Sequence, residues 1–227
     1  MSPTPGDPPR HHPSDDLLLR HAAGRLPPIQ SLMVSTHLPF CTQCRAAIRL
    51  GDDIGGALLA EMPPDDMAAD ALSRTLTRLD VTAAPGAPEV RHTGRPPVEL
   101  ASGVPLPASL QGTVRSRWRW VAPGINRIAL DIPGAARDER AYLLRVAPGT
   151  KLPEHGHNGW EATCVLSGHF TDSTVDYGPG DVAEMDGASI HQPVSGGDTG
   201  CICLIVRQGN LRPRGVIARL MQPFVGV

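Results

Sequence analysis

The sequence predicts a two-domain protein of the α + all-β class, a small metal-held helical domain followed by a β-sandwich or barrel. Three observations carry this. One imidazole and two thiols, His37, Cys41 and Cys44, fall within a single short stretch. Apolar residues recur at helical spacing through roughly the first third of the chain. From Ala108 onward the pattern changes to short alternating segments divided by Pro-Gly pairs.

Bulk properties bound the function. A chain of 227 residues accommodates one large or two modest domains, and 41% hydrophobic residues suffice for a core. Twenty-four Gly and 24 Pro indicate many loops and a β-rich part. A net charge of -2 leaves no basic footprint for direct nucleic-acid binding. No apolar run is long enough to span a membrane, and the polar, Pro-rich start is not a signal peptide. Five clustered cysteines, an odd number, read as thiols of a reducing, cytoplasmic compartment.

The first helix opens at Ser14, a cap residue, with Asp15 and Asp16 in the turn where the helix dipole favours carboxylates. Leu17, Leu18, Leu19, Ala22 and Ala23 form its apolar band, and Gly24 ends it. A second helix starts at Pro27-Pro28, carries Ile29, Leu32, Met33 and Thr36, and ends at His37. Cys41-Thr42-Gln43-Cys44 turns the chain into a third helix running through Ile48 and Leu50 toward Leu58 and Leu59. A fourth is expected from Asp65 to Leu79, with Met67, Leu72, Leu76 and Leu79 on one face.

Helices this short need a staple. Zinc takes His nitrogen and Cys thiolate in tetrahedral sites, and a Cys-x-x-Cys pair gives two sulfurs from one tight turn. His37, Cys41 and Cys44 supply three ligands and His12 the fourth, with His11 as a substitute; the competing reading is a redox Cys-x-x-Cys pair. The apolar band of the first helix is wider than one core face requires. It is either a buried helix or, with Leu17, Leu18, Leu19, Leu32 and Met33, a surface for a protein partner.

No periodic pattern survives from Thr82 to Pro107, where Pro85, Pro88, Pro96 and Pro97 stand. This gives a helical domain over 1–84, a Pro-rich linker over 85–107 and a β-domain over 108–227. Expected strands are Thr113 to Val121, Asn126 to Asp131, Ala141 to Val146, Ala162 to Leu166, Val182 to Met185 and Ile202 to Val206. His155 and His157 alternate onto one face, Glu161 keeps their parity, and His191 comes from a neighbouring strand. Imidazoles with one carboxylate make a mixed N/O site suited to Zn, Fe, Mn, Ni or Cu; a pair of surface histidines is the alternative. Cys201 and Cys203 share a strand face, either as small core residues or as a redox-sensing pair, and Cys164 is core.

Gly149, His155, His157, Glu161 and Gly168 resemble the first cupin motif in full, and Gly180-Asp181 with His191 resembles the second in part, Met185 standing where Pro is usual. A cupin behind a short helical module bearing His12, His37, Cys41 and Cys44 resembles the ChrR-type anti-sigma factors. That resemblance implies a cytoplasmic bacterial protein without catalytic turnover, whose zinc-bound helical domain sequesters an extracytoplasmic-function sigma factor. It also implies a second zinc, or another divalent ion, in the cupin, and release of the sigma factor on oxidative or photo-oxidative stress such as singlet oxygen. The competing expectation is a metal-dependent cupin dioxygenase or isomerase with an accessory helical domain.

Overall fold

The computed structural model describes residues 7–81, 100, 106–114, 116–196, 198, 200–209 and 211–213. Most of the expected linker, with Pro85, Pro88, Pro96 and Pro97, therefore lies outside the described residues.

Four helices form where the periodicity places them: α1 Asp15–Ala22, α2 Pro28–His37, α3 Thr42–Glu61 and α4 Ala71–Val81. Gly24, at φ 63°, takes the left-handed conformation that closes α1. Pro28 begins α2, where the missing N–H costs nothing. Cys41 caps α3, its sulfur accepting the Cys44 N–H at 3.3 Å. Ser14 does not cap α1 through its side chain. Its N–H and hydroxyl both reach the Glu184 carboxylate, at 2.6 and 3.2 Å, so the helix entry is tied to the β-domain. The fourth helix starts later than its apolar pattern, leaving Met67 outside it and exposed.

The β-domain is built from β1 Arg119–Ala122, β2 Ile125–Ala129, β3 Glu139–Val146, β4 His155–His157, β5 Glu161–Gly168, β6 Phe170–Asp172, β7 Val175–Tyr177, β8 Val182–Met185, β9 Ile190–His191, β10 Val194–Ser195, β11 Cys201–Gln208 and β12 Leu211–Pro213. One six-stranded antiparallel sheet, in the order β1-β2-β3-β11-β5-β8, faces two three-stranded sheets, β10-β6-β7 and β12-β4-β9. This is the jelly-roll type of closed β-architecture. The central strand β11 is apolar without alternation because both its faces are covered. Cys201, Cys203 and Ile205 face the barrel interior with Leu144, Val165 and Phe170. Ile202, Leu204 and Val206 face outward with Leu143, Ala162 and Cys164.

That outward face is where the two halves meet. Ile29, Leu32 and Met33 of α2 pack into it and share a single core with the sheet. Leu100 and Leu106, on the stretch read as linker, belong to the same core, and Leu100 is fully buried. The segment before α1 lies along β8: the Val182 N–H donates to the His11 carbonyl, and the Asp181 carboxylate accepts the Arg10 and His11 N–H groups at 2.6 and 2.8 Å. At Gly180, φ 87°, a Cβ would collide with Phe40 and Pro9, so only glycine lets the turn before β8 come this close.

Beyond this contact the helices run free. From Asp52 to Leu79 no residue is buried, and only Ala71 is half-buried. Leu50, Ile54, Leu58, Leu59 and Met62 of α3 and its end, and Leu72, Leu76 and Leu79 of α4, are all exposed. The leucine surface expected on α1 and α2 is corrected by burial. Leu17 and Leu18 pack with Val34, Cys41 and Cys44, and Leu32 and Met33 lie against or within the shared core, so only Leu19 stays outside.

Candidate metal centres

Both expected ligand sets converge. His12, His37, Cys41 and Cys44 place their ligand atoms within 4.8 Å of one another, and His155, His157, Glu161 and His191 do the same.

The first cluster is assembled from the segment before α1, the end of α2 and the start of α3. His12 Nδ1 lies 3.4 Å from Cys41 Sγ and 3.5 Å from Cys44 Sγ. Zinc bond lengths at tetrahedral angles set N and S about 3.6 Å apart. His37 is fully buried; its Nδ1 donates to the Gly180 carbonyl at 2.6 Å, which leaves Nε2 unprotonated. That Nε2 is buried and has no hydrogen-bond partner. A bare lone pair fixed by a hydrogen bond on the opposite ring nitrogen is the arrangement of a metal-ligating histidine. Burial lowers the His37 pKa and keeps the ring neutral. Burial, reinforced by the hydrogen bond that the Cys44 thiol donates to Cys41, pushes the Cys44 thiol up to about 12, so without a cation this sulfur stays protonated. The donor set therefore fits a closed, tetrahedral thiolate–imidazole site for zinc.

In the second cluster the two histidines of β4 face His191 of β9 in an adjacent strand, in register at His155 and His191. Glu161 is not on their strand. It opens β5 after a chain reversal, so the reversal rather than parity brings it to the imidazoles. His191 Nε2 stands 3.0 Å from both His155 Nε2 and His157 Nε2. Three imidazole lone pairs aimed at each other repel unless a cation sits among them. An edge of 3.0 Å matches two nitrogens about 2.1 Å from one ion at nearly a right angle, the facial arrangement of non-tetrahedral sites. His191 Nδ1 donates to Asp172 Oδ2 at 2.6 Å and His155 Nδ1 to the Pro153 carbonyl at 2.8 Å, which turns both Nε2 lone pairs inward. Burial and the neighbouring imidazoles hold His157 down at about 4, so it is neutral and able to ligate. Glu161 is buried with Oε2 lacking a hydrogen bond, and desolvation pushes its carboxyl up to about 7. Mixed N/O donors of this kind fit a divalent ion.

Sequence reasoning missed Asp172, which orients His191, and the second role of Gly180-Asp181. Read only as part of a cupin motif, this turn also holds the His12 segment and His37 of the other cluster. Nothing local marks Asp172, because its partner is remote in sequence. Cys201 and Cys203 are buried in the barrel interior, and Cys164 lies on the opposite face, as its parity indicates. Trp160 packs between both cores, whereas Trp120 is exposed.

The ChrR Cupin-like domain family matches residues 109–211. The anti-sigma-E factor ChrR of Cereibacter sphaeroides is 37% identical over 215 residues, which is 95% of this chain and 97% of that protein. The crystal structure of Rhodobacter sphaeroides SigE in complex with the anti-sigma ChrR gives a TM-score of 0.70 at 35% identity, covering 88% of this chain and 99% of the matched one. With likeness extending across the helices and the cupin alike, the chain belongs to the ChrR family of anti-sigma factors.

Proposed function

We propose that this chain sequesters an extracytoplasmic-function sigma factor in the bacterial cytoplasm, with zinc in the helical domain and zinc or another divalent ion in the cupin. The observation that carries the reading is the row of exposed apolar side chains on α3 and α4: Leu50, Ile54 and Leu58 repeat every fourth residue, and Leu72, Leu76 and Leu79 continue the pattern. Isolated helices do not keep such faces in water; amphipathic helices bury them in a partner's groove. The relative's complex with SigE supports a sigma factor as that partner.

In this account the first metal fixes the angle between the segment before α1 and the start of α3, and so aims α3 away from the cupin. The metal supplies the bonds that hold the ligands together; the chain supplies a neutral His37, a capping Cys41 and the turn at Gly180. An oxidative or photo-oxidative signal, singlet oxygen among them, acts at the cupin and reaches the helices through α2 and the Gly180 turn. Cys201 and Cys203 are the remaining candidates for sensing. Both are buried, and a hydrogen bond that the Cys203 thiol donates to Cys201, together with burial, raises the Cys203 thiol well above its usual range, which disfavours the reactive thiolate. We therefore assign the pair to packing and the input to the metal-bearing end of the barrel.

Co-purification of the full chain with its cognate sigma factor tests the reading. Leu58→Asp with Leu76→Asp should reduce capture by about 30-fold or more, the loss of about 2 kcal/mol expected of central interface anchors, with the melting temperature unchanged. Undiminished capture would refute the assignment of α3 and α4. Substrate-dependent oxygen uptake by iron-loaded protein would favour a cupin enzyme instead.

A further inference from the structure

Strand β8, Val182–Met185, stands at one end of the six-stranded sheet and serves both halves of the molecule. Its outward residues hold the helical half. The Val182 N–H donates to the His11 carbonyl, and the Glu184 carboxylate accepts the Ser14 N–H at 2.6 Å and the Ser14 hydroxyl at 3.2 Å. Its inward residues, Ala183 and Met185, pack in the barrel interior with Val165. Met185 is the register partner of Glu161, so its thioether lies on the same sheet face as a member of the cupin cluster. One peptide bond therefore separates a residue at the metal end of the barrel from the residue that ties down the entry to α1.

The chain has six methionines. Met33 is fully buried in the shared core, and Met1 and Met221 lie outside the described residues. Met62 continues the row Leu50, Ile54, Leu58 at the same spacing, and Met67 stands between α3 and α4; both are exposed, on the face assigned to the sigma factor. Met185 is half-buried on the β-domain, outside that face. Among the described residues it is the thioether that an oxidant can reach while the partner is bound. It also stands where the second cupin motif usually has proline, a residue without sulfur.

Oxidation here changes the local chemistry. Singlet oxygen adds to the thioether sulfur, water adds to the peroxidic adduct, and hydrogen peroxide leaves. Sulfur keeps one oxygen and gives up two electrons, which the departing peroxide carries. The apolar side chain becomes a polar sulfoxide. Its oxygen is an added acceptor beside Glu161, whose Oε2 already lacks a hydrogen bond, and within an apolar cluster. Burying an acceptor without a donor is costly, and swinging it outward moves the end of β8, with Glu184 on it.

We propose that Met185 is the oxidation site through which the cupin receives its signal, the sulfoxide loosening the Glu184–Ser14 tie and so the grip of the helices on the sigma factor. This rests on the reading above, with the input at the cupin and capture on α3 and α4.

Illumination of the metal-loaded full chain, bound to its sigma factor, with rose bengal in air and catalase tests it, with peptide masses reporting oxidation and gel filtration reporting release. Wild type should gain one oxygen on Met185 and release the sigma factor at least about fivefold faster than the Met185→Leu complex, which keeps the volume without the sulfur. Equal release from the two complexes, or release with Met185 unmodified, would overturn the proposal. A chain that captures no sigma factor in the dark refutes the capture reading instead, and the free chain then decides. On illumination the Ser14 N–H should exchange with solvent at least about tenfold faster in wild type and at its dark rate in Met185→Leu. The same exchange in both chains would overturn the proposal.

Discussion

The two metal clusters contain four residues each, but they sit in opposite kinds of surroundings. The cupin cluster is mounted on β4, β5 and β9, strands that a continuous barrel core already holds in place. The helical cluster joins three segments whose own core amounts to Leu17, Leu18, Val34 and the two cysteines themselves. In the first case the fold makes the site; in the second the site makes the fold. The difference teaches which of the two clusters an ion would hold together, and the consequences can be ranked.

The largest contrast is in folding. Structural zinc sites contribute ~10–16 kcal/mol of apparent binding free energy, far more than this small helical core supplies. Cys41→Ser with Cys44→Ser should therefore abolish most of the helical circular-dichroism signal from α1 to α3. His155→Ala with His157→Ala should leave the barrel's melting transition in place and remove only its ion. Equal damage from both pairs would erase the distinction.

Next comes pH. In the metal-free chain Glu161 keeps its proton up to about 7, above its ordinary 4.5. The folded state then binds more protons than the unfolded one, so this group lowers stability as pH rises from 4.5 to 7. Glu161→Gln should remove that contribution, worth about 3 kcal/mol at pH 7.5 and nothing at pH 4.5. Urea denaturation in chelator at the two pH values reads the difference.

Smaller effects probe the joint between clusters. Gly180→Ala forces a Cβ into Phe40 at a left-handed position and should cost about 1–3 kcal/mol while weakening the first site, although Gly180 lies in the cupin. Competitive chelator titration should show the loss. Asp172→Ala, which removes the acceptor for His191, should weaken only the cupin ion, by about 10- to 100-fold.

Much of this was legible in the sequence because it is local. Leu17 to Gly24 carries a helix and its stop, and Cys41 to Cys44 carries a turn and two ligands. The cupin ligands follow a fixed spacing from Gly149 to Gly168. What escaped depends on remote partners. Asp172 acquires meaning only from His191, and Gly180 only from His37 and Phe40. The same reason displaced the partner surface. Periodicity shows that Leu32, Met33, Leu58 and Leu76 each lie on an apolar face, but only the docking of α2 on the sheet decides which faces are already taken. The halves looked separable because a Pro-rich stretch divides them, whereas Ile29 and Leu100 show them sharing a core.

The claim on which the account depends is that the His12–His37–Cys41–Cys44 ion shapes the helices a sigma factor grips. Metal content and sigma capture measured on one co-purified sample test it most directly. Wild-type chain should carry two ions and retain its partner, and the Cys41→Ser/Cys44→Ser chain should carry one ion, in the cupin, and retain none. A double variant that has lost one ion yet still holds the sigma factor would contradict it.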